Sequence, residues 1–300
     1  MFKADEFIVT SHIPELRQAV GTARLSGCTI GCVPTMGALH AGHISLVEEC
    51  RQRTDFVVVT LFVNPSQFAP HEDLSKYPRP LERDLQLCRE AGANLVYVPE
   101  VETLYPAGFQ TWVTVDELSK PLEGTFRGTH FRGVTTIVLK LLNIVQPDVA
   151  CFGAKDFQQQ SIIRRMVLDL DLPVEVVVCP TVREPDGLAL SSRNVYLSKQ
   201  ERTVALSLSQ ALALAQQRID TGEQNVASIT QAMRDLLESH PEIKIDYVVI
   251  ADPDLLLELT APQPAMVALI AARVGATRLI DNRMLVMAEV SKQSSRSLPD

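Results

Sequence analysis

Apolar and polar positions along this chain follow two alternating rhythms. Short unbroken apolar runs are each succeeded by a stretch in which apolar residues return every three or four positions. Thr29–Val33, Phe56–Val63 (FVVVTLFV), Leu95–Val98, Val149–Phe152 and Val174–Cys179 read as strands. Ile44–Arg53, Leu81–Ala91, Val134–Val145 and Asp156–Leu168 read as the helices between them, with Leu46, Val47 and Cys50 on one face of the first and Gly92 stopping the second. The β-branched, uninterrupted FVVVTLFV run predicts a strand covered on both faces. Strands and helices alternating at this spacing predict an α/β, Rossmann-like, doubly wound parallel sheet, with its ligand crevice at the carboxyl ends of the strands.

The rhythm changes at the turn-forming cluster Arg183–Gly187 (REPDG). Two long helical patterns follow, Lys199–Asp220 and Asn225–His240, and then three strand-like runs at Ile245–Ala251, Ala265–Ala272 and Thr277–Asp281. The expected organisation is a Rossmann-like domain over 1–184, a smaller C-terminal α+β domain over 185–290, and a frayed polar tail over 291–300.

Composition narrows the class. At 300 residues, 46% hydrophobic and 21% charged, the chain can bury a real core, and disorder is excluded for its bulk. Its 28 Lys and Arg against 36 Asp and Glu give −8, which argues against nucleic acid as a partner and leaves room for a local anion pocket. Apolar stretches such as Val57–Val63 and Val174–Cys179 are far too short to span a membrane, and the N-terminus does not resemble a signal peptide. The six cysteines, Cys28, Cys32, Cys50, Cys88, Cys151 and Cys179, mostly sit in apolar segments. They read as reduced, packed thiols of a cytoplasmic protein, and Cys28 and Cys32 have no second pair to complete a zinc site.

Candidate chemistry clusters at predicted strand ends. After the first strand comes Pro34-Thr35-Met36-Gly37-Ala38-Leu39-His40-Ala41-Gly42-His43. A glycine-bearing turn entering a helix offers backbone N–H groups to a phosphate. The outer glycines have P-loop spacing, but His43 stands where the lysine would be. Two histidines three apart can donate to one anion, form part of a metal pair, or simply be solvated. After FVVVTLFV, Asn64 and Gln67 of LFVNPSQF sit at the expected crevice mouth, where Asn-Pro can also be a plain turn. In FGAKDFQQQ, Gly153 permits close backbone approach and Lys155 can reach a phosphate, although such a lysine alone is an ordinary surface residue. Leu190-Ser191-Ser192-Arg193-Asn194 brings two hydroxyls and a guanidinium, which serve either an anion or a helix cap.

Together with HFRGVTTIVLKLLNIVQPD, these ordered blocks resemble the pantothenate synthetase family of HIGH-type nucleotidyltransferases, densely from Val33 to Asn194 and more diffusely to Val290. The resemblance implies an ATP- and Mg2+-dependent ligase joining pantoate to β-alanine through a pantoyl adenylate, with pantothenate, AMP and pyrophosphate as products. It implies an ATP site of Met36, Gly37, Ala38, Leu39, His40, Ala41, Gly42, His43, Gly153, Ala154, Lys155, Asp156, Val182, Leu190, Ser191, Ser192 and Arg193. His43 would be the proton donor, His40 a phosphate contact and Lys155 a catalytic cation. Gln67 and Gln159 would hold pantoate, with Gln67 also near β-alanine, and Pro34, Met36 and Phe68 could cover the pantoate methyls. The smaller domain would close over the site. A homodimer is implied too, for which Phe56–Val63 and Cys88–Val98 offer apolar surface near a sheet edge. The sequence departs from the family pattern at Ser66 and Leu190, where methionines are usual, and at Arg127-Gly128-Thr129-His130-Phe131, which lacks the usual proline. Competing readings are another nucleotidyltransferase of the same fold and a non-catalytic nucleotide sensor. The retained glutamines argue against the sensor, which needs no acid-substrate site.

Overall fold

The apolar runs before residue 180 line up side by side as one parallel sheet. The computed structural model describes residues 7–68 and 74–287. Its strands β1 (Ile8–Thr10), β2 (Ile30–Thr35), β3 (Phe56–Leu61), β4 (Leu95–Tyr97), β5 (Val149–Gly153) and β6 (Glu175–Cys179) pair in the order β1-β4-β3-β2-β5-β6. Every pairing among them is parallel. The connecting helices are α1 (Ile13–Leu25), α2 (Ala41–Arg53), α3 (Leu81–Glu90), α4 (Val101–Leu104), α5 (Glu123–Arg127), α6 (His130–Val145) and α7 (Phe157–Asp169). The helix α2 packs on α3, while α1 packs on α6 and α6 on α7.

Strand alternation explains why β3 is buried throughout. Val57, Val59 and Leu61 join Leu46, Val47 and Cys50 of α2 and Cys88 of α3 in one core cluster. The alternate positions, Phe56, Val58 and Thr60, face the other side of the sheet and are equally buried. Gly31 lets β2 and α2 approach closely, since a Cβ there would lie 2.3 Å from Cys50 Sγ and 2.4 Å from Thr54 Oγ1. The strand β3 is thus central, and Cys88, Leu95, Val96 and Tyr97 are buried as well. The surface on which the sequence reading rested dimerisation is therefore interior to the chain. The same reading passed over β1, three residues at an edge, and α1, whose stripe of Leu16, Val20 and Ala23 is buried.

The chain divides into two compact units, Met1–Arg202 and Thr203–Asp300. The sequence reading set the divide at 184/185. The segment after residue 184 instead folds back within the first unit: Arg183 pairs with Ala189, Asn194 Nδ2 donates to Ala189 O at 3.1 Å, and Arg202 is ion-paired to Glu184 and Asp186. Beyond it, α8 (Lys199–Asp220) and α9 (Val226–Glu238) accompany an antiparallel sheet of β7 (Ile243–Ala251), β8 (Ala265–Val274) and β9 (Thr277–Val286). This is the smaller α+β unit, with α9 packed on β7 and Gln216 of α8 donating to Val286 O at 2.9 Å. The expected tail, 291–300, lies outside the described residues. Among the described residues no helix is long and apolar enough to cross a membrane.

Candidate active site

From β2 the chain steps outward to β3 and β4, then returns to place β5 and β6 on the other side of β2. That reversal opens a crevice at the carboxyl ends of β2 and β5. A cavity of about 210 Å³ lies there, walled by residues between Pro34 and Arg193.

The β2–α2 turn forms one wall. His40 is the N-cap of α2, and its Nδ1 accepts from Gly42 N at 3.1 Å, while His43 Nδ1 accepts from His40 N at 3.4 Å. A ring nitrogen that accepts carries no proton, so both neutral imidazoles are assigned the Nε2–H form. Their rings lie 4.1 Å apart. Burial drives the His43 pKa down to about 3, helped by His40 and Lys155 and opposed by Asp156. His40 is lowered as well, by burial and then Lys155. Both rings are therefore neutral donors at neutral pH. The turn's amides do not form the free cradle that its glycines suggested. Gly37 N donates to Thr35 Oγ1 at 3.2 Å, and Ala38 N and Leu39 N each donate to the Asp84 carboxylate at 2.8 Å.

A second wall follows β3. Asn64 caps the single 3-10 turn Pro65–Gln67, and its buried side chain links three elements. Its Nδ2 donates to Gly133 O of α6 at 3.1 Å, and its Oδ1 accepts from Ser66 Oγ at 3.0 Å and Tyr105 Oη at 2.9 Å. A Cβ on Gly133 would fall 2.4 Å from Ser66 O, so only glycine lets α6 pass this close. His130 Nδ1 meets Gln67 O at 2.8 Å, and its Nε2 meets Arg127 Nη1 at 2.9 Å. Since the carbonyl can only accept, His130 carries its proton on Nδ1 and receives from Arg127. The Gln67 side chain reaches the cavity and has no hydrogen-bond partner among the described residues.

The remaining walls come from the β5–α7 junction and the segment before α8. Lys155 Nζ lies 3.8 Å from the Asp156 carboxylate. Burial resists ionisation of Asp156, but Lys155 and Arg193, with His130 and Arg127 behind them, hold its pKa below the usual carboxylate range. About half of its side chain is nonetheless open, at 52%. The two glutamines of α7 divide: Gln158 is locked between Leu118 O, Pro121 O and Glu123 N, whereas Gln159 faces the cavity. Ser191 caps the turn carrying Ser192 and Arg193, and Ser192 and Tyr77 both line the cavity.

The cavity thus collects Met36, His40, Gly42, His43, Gln67, Gly153, Lys155, Asp156, Gln159, Val182, Leu190, Ser191, Ser192 and Arg193. Gly37, Ala38, Leu39, Ala41 and Ala154 do not line it. Leu39 is core, and Ala154 N is taken by Cys179 O at 2.8 Å. Pro34 and Met36 lie on the wall as expected, but Phe68 packs edge-on against Tyr77 instead. The apolar lining comes from Phe62 and from Val134, Ile137, Val138 and Leu141 of α6. Their i, i+3, i+4, i+7 spacing was the available signal, and it reads equally well as plain core. Tyr77, Asp84 and Thr181 carried no signal in the sequence.

A parallel sheet with an anion-facing crevice at its switch point defines a nucleotide-handling α/β enzyme. The comparisons with known proteins specify it further. The family Pantoate-beta-alanine ligase matches residues 8–284. The pantothenate synthetase of Moorella thermoacetica is 51% identical over 273 residues, covering 91% of this chain and 96% of its own length. That of Roseiflexus sp. is 52% identical over 277 residues, covering 92% and 99%. Among solved structures, pantothenate synthetase from Thermus thermophilus superposes with a TM-score of 0.88 at 46% identity, covering 92% of this chain and 99% of that one. The Francisella tularensis pantoate-beta-alanine ligase, complexed with β-γ ATP and β-alanine, gives 0.76 at 32% identity, covering 93% and 97%. The chain belongs to the pantoate-beta-alanine ligase family and is an enzyme of that type.

Proposed function

We propose that the cavity between β2 and β5 is where this chain carries out its family's reaction, the ATP-dependent joining of pantoate and β-alanine. A pantoate carboxylate oxygen attacks the α-phosphorus of ATP and pyrophosphate leaves. The β-alanine amine then attacks the acyl carbon, AMP departs with the electrons of the broken acyl–oxygen bond, and the amine loses a proton. The observation that carries this reading is that one cavity at the strand ends collects two imidazoles, two hydroxyls, a lysine and an arginine together with two side-chain amides. In this reading His40, His43, Lys155, Ser191, Ser192 and Arg193 serve the polyphosphate, and Gln67 and Gln159 serve the hydroxy acid; all eight line the cavity. An amide donates and accepts, which suits a ligand bearing both carboxylate and hydroxyl, and the α6 aliphatics suit its methyls.

Neutral His43 works as a hydrogen-bond donor through Nε2–H to the departing phosphate, and His40 stands beside it. The incoming polyanion opposes the effects that hold both rings neutral. Little covalent chemistry falls to the protein, so rate comes from orientation and from fixed charge at the phosphates. Mg2+ bound to ATP would supply charge neutralisation at the phosphates. Among the described residues no group of three or more His, Cys, Asp or Glu could hold a metal unaided, and ionised Asp156 is the carboxylate on the wall able to meet one. The direct test omits ATP, pantoate or β-alanine in turn and measures AMP. AMP only with the full set, together with pantoate-dependent exchange of pyrophosphate into ATP without β-alanine, supports the adenylate route. Exchange that requires β-alanine overturns the order.

A homodimer is part of this reading. Trp112, 41% exposed, stacks with Tyr105 and is flanked by Arg132, 4.8 Å above its ring, with Lys140 over Phe109. Asp116 and Glu117 lie exposed farther along the same segment, so a two-fold axis could set one copy's acids against the other's cations. Sedimentation at micromolar concentration is expected to give about twice 33.1 kDa. A cytoplasmic location is favoured by the five buried, unpaired cysteines.

A further inference from the structure

We propose that Asp84 is a positioning residue for the adenylation step: a built-in anion that occupies the amide nest of the β2–α2 turn and leaves the phosphates of ATP to the side chains. The inference rests on the reading of the cavity as the nucleotide site.

Gly37 and Ala38 both adopt left-handed backbone, with φ of 79° and 52°. Alanine takes up that conformation at a steric cost, so something must hold it there. Consecutive amides turned to one side form a concave anion site of the kind that binds phosphate in other glycine-bearing turns. Here the anion is supplied by the chain itself. Asp84 reaches in from α3, only 2% exposed, and gives one carboxylate oxygen to Ala38 N and the other to Leu39 N, each at 2.8 Å. Gly37 is tied to the same carboxylate by space, because a Cβ there would lie 3.1 Å from Asp84 Oδ2.

The next residue is His40, which caps α2 and receives His43 in a reciprocal pair of hydrogen bonds. The path from Asp84 to the imidazoles is thus one rigid turn. With the nest filled, ATP phosphates meet Nε2–H groups and cations rather than backbone, and the turn is already shaped before nucleotide arrives.

The test uses the full-length enzyme and pantoate-dependent pyrophosphate–ATP exchange. Asp84→Asn keeps the shape but removes the charge and turns a donor toward one of the two amides, and Asp84→Ala empties the nest. Exchange is expected to fall about tenfold or more in both, as for loss of a charged hydrogen bond, while the apparent constant for pantoate stays within about twofold. Sodium formate should restore exchange saturably in Asp84→Ala, since a small carboxylate can replace the missing one, whereas sodium chloride at equal ionic strength should not. Asp84→Asn, with its nest still filled, should not respond to formate. Should Asp84→Ala fail to fold, Ala38→Gly in the Asp84→Asn background carries the test: glycine accepts the left-handed geometry unaided and is expected to recover exchange. Unchanged exchange in the single variants overturns the proposal. So does a loss that neither formate nor Ala38→Gly relieves, or one matched by an equal rise in the pantoate constant. If the parent enzyme makes no AMP with the full substrate set, the functional reading fails first and this inference falls with it.

Discussion

The turns after β2 and after β3 lie side by side and are built on the same plan with opposite chemistry. After β2, buried Asp84 and Thr35 hold the backbone, and the groups turned to the cavity are imidazoles beside cations. After β3, buried Asn64 and His130 hold the backbone, and the group turned to the cavity is the neutral amide of Gln67. In each case a few side chains present and several buried polar groups hold. The two walls differ in charge, and the separation of holders from presenters makes them independently breakable, which allows the proposed sorting of substrates to be tested.

The largest effect is expected at the cation that stands beside the imidazoles, Lys155 of the β5–α7 junction. Lys155→Ala removes a charge-assisted contact of about 1.5–3 kcal/mol, so pyrophosphate exchange should fall roughly 10- to 150-fold with little change in pantoate saturation. Intact exchange would reduce Lys155 to a surface lysine. Among the amides, Gln67→Ala after β3 and Gln159→Ala on α7 should each raise the apparent constant for pantoate by about 5- to 150-fold, the range for an unpaired buried polar group. ATP binding measured without pantoate should barely move, and the opposite pattern would show that the walls have been assigned to the wrong substrates.

A holder should behave differently from a presenter. Asn64→Ala strips partners from Gly133 O and the Tyr105 hydroxyl and should cost about 1–3 kcal/mol of stability, read as a lower urea midpoint with unchanged m-value. It should also weaken pantoate saturation while sparing ATP binding. The last effect is nil at neutral pH and concerns proton uptake in acid. His43 has a folded pKa of about 3 against 6.5 in the unfolded chain, so the unfolded state binds more protons between those values. Its contribution to stability is fully present above pH 6.5 and is lost as pH falls toward 3. His43→Gln should flatten that part of the stability profile. A His43 ring resonance titrating near 6.5 in the free enzyme would contradict the burial argument.

Much of the sheet was legible because parallel strands buried on both faces are rich in apolar and β-branched residues on both, and Phe56–Leu61 announces itself in that way. Three-residue β1 offers too short a run. The site residues that present, His40, His43, Gln67, Lys155 and Arg193, stand in motifs at strand ends and were readable as such. The residues that hold were not. Asp84 lies on an amphipathic helix among other acids, and nothing local marks it as the partner of two amides 46 and 45 positions away. The glycine spacing at Gly37–Gly42 suggested an open cradle because sequence shows which backbone can bend, not which donors are already occupied. REPDG looks like a linker, and nothing local shows that the chain through Arg202, which pairs back with Glu184 and Asp186, groups with the first unit.

Gly31 gives α2 the character of a rigid rod resting on a pivot. The helix has 13 residues and so spans about 20 Å, with Cys50 and Thr54 bearing on the foot of β2 and His40 capping the far end. A single methyl group inserted at the pivot would have to lift that end of the rod or break it, and a rod that tilts swings its tip. A lesion at Gly31, far from any substrate, would therefore show itself at the imidazoles and pass in an activity screen for damage to the catalytic wall itself.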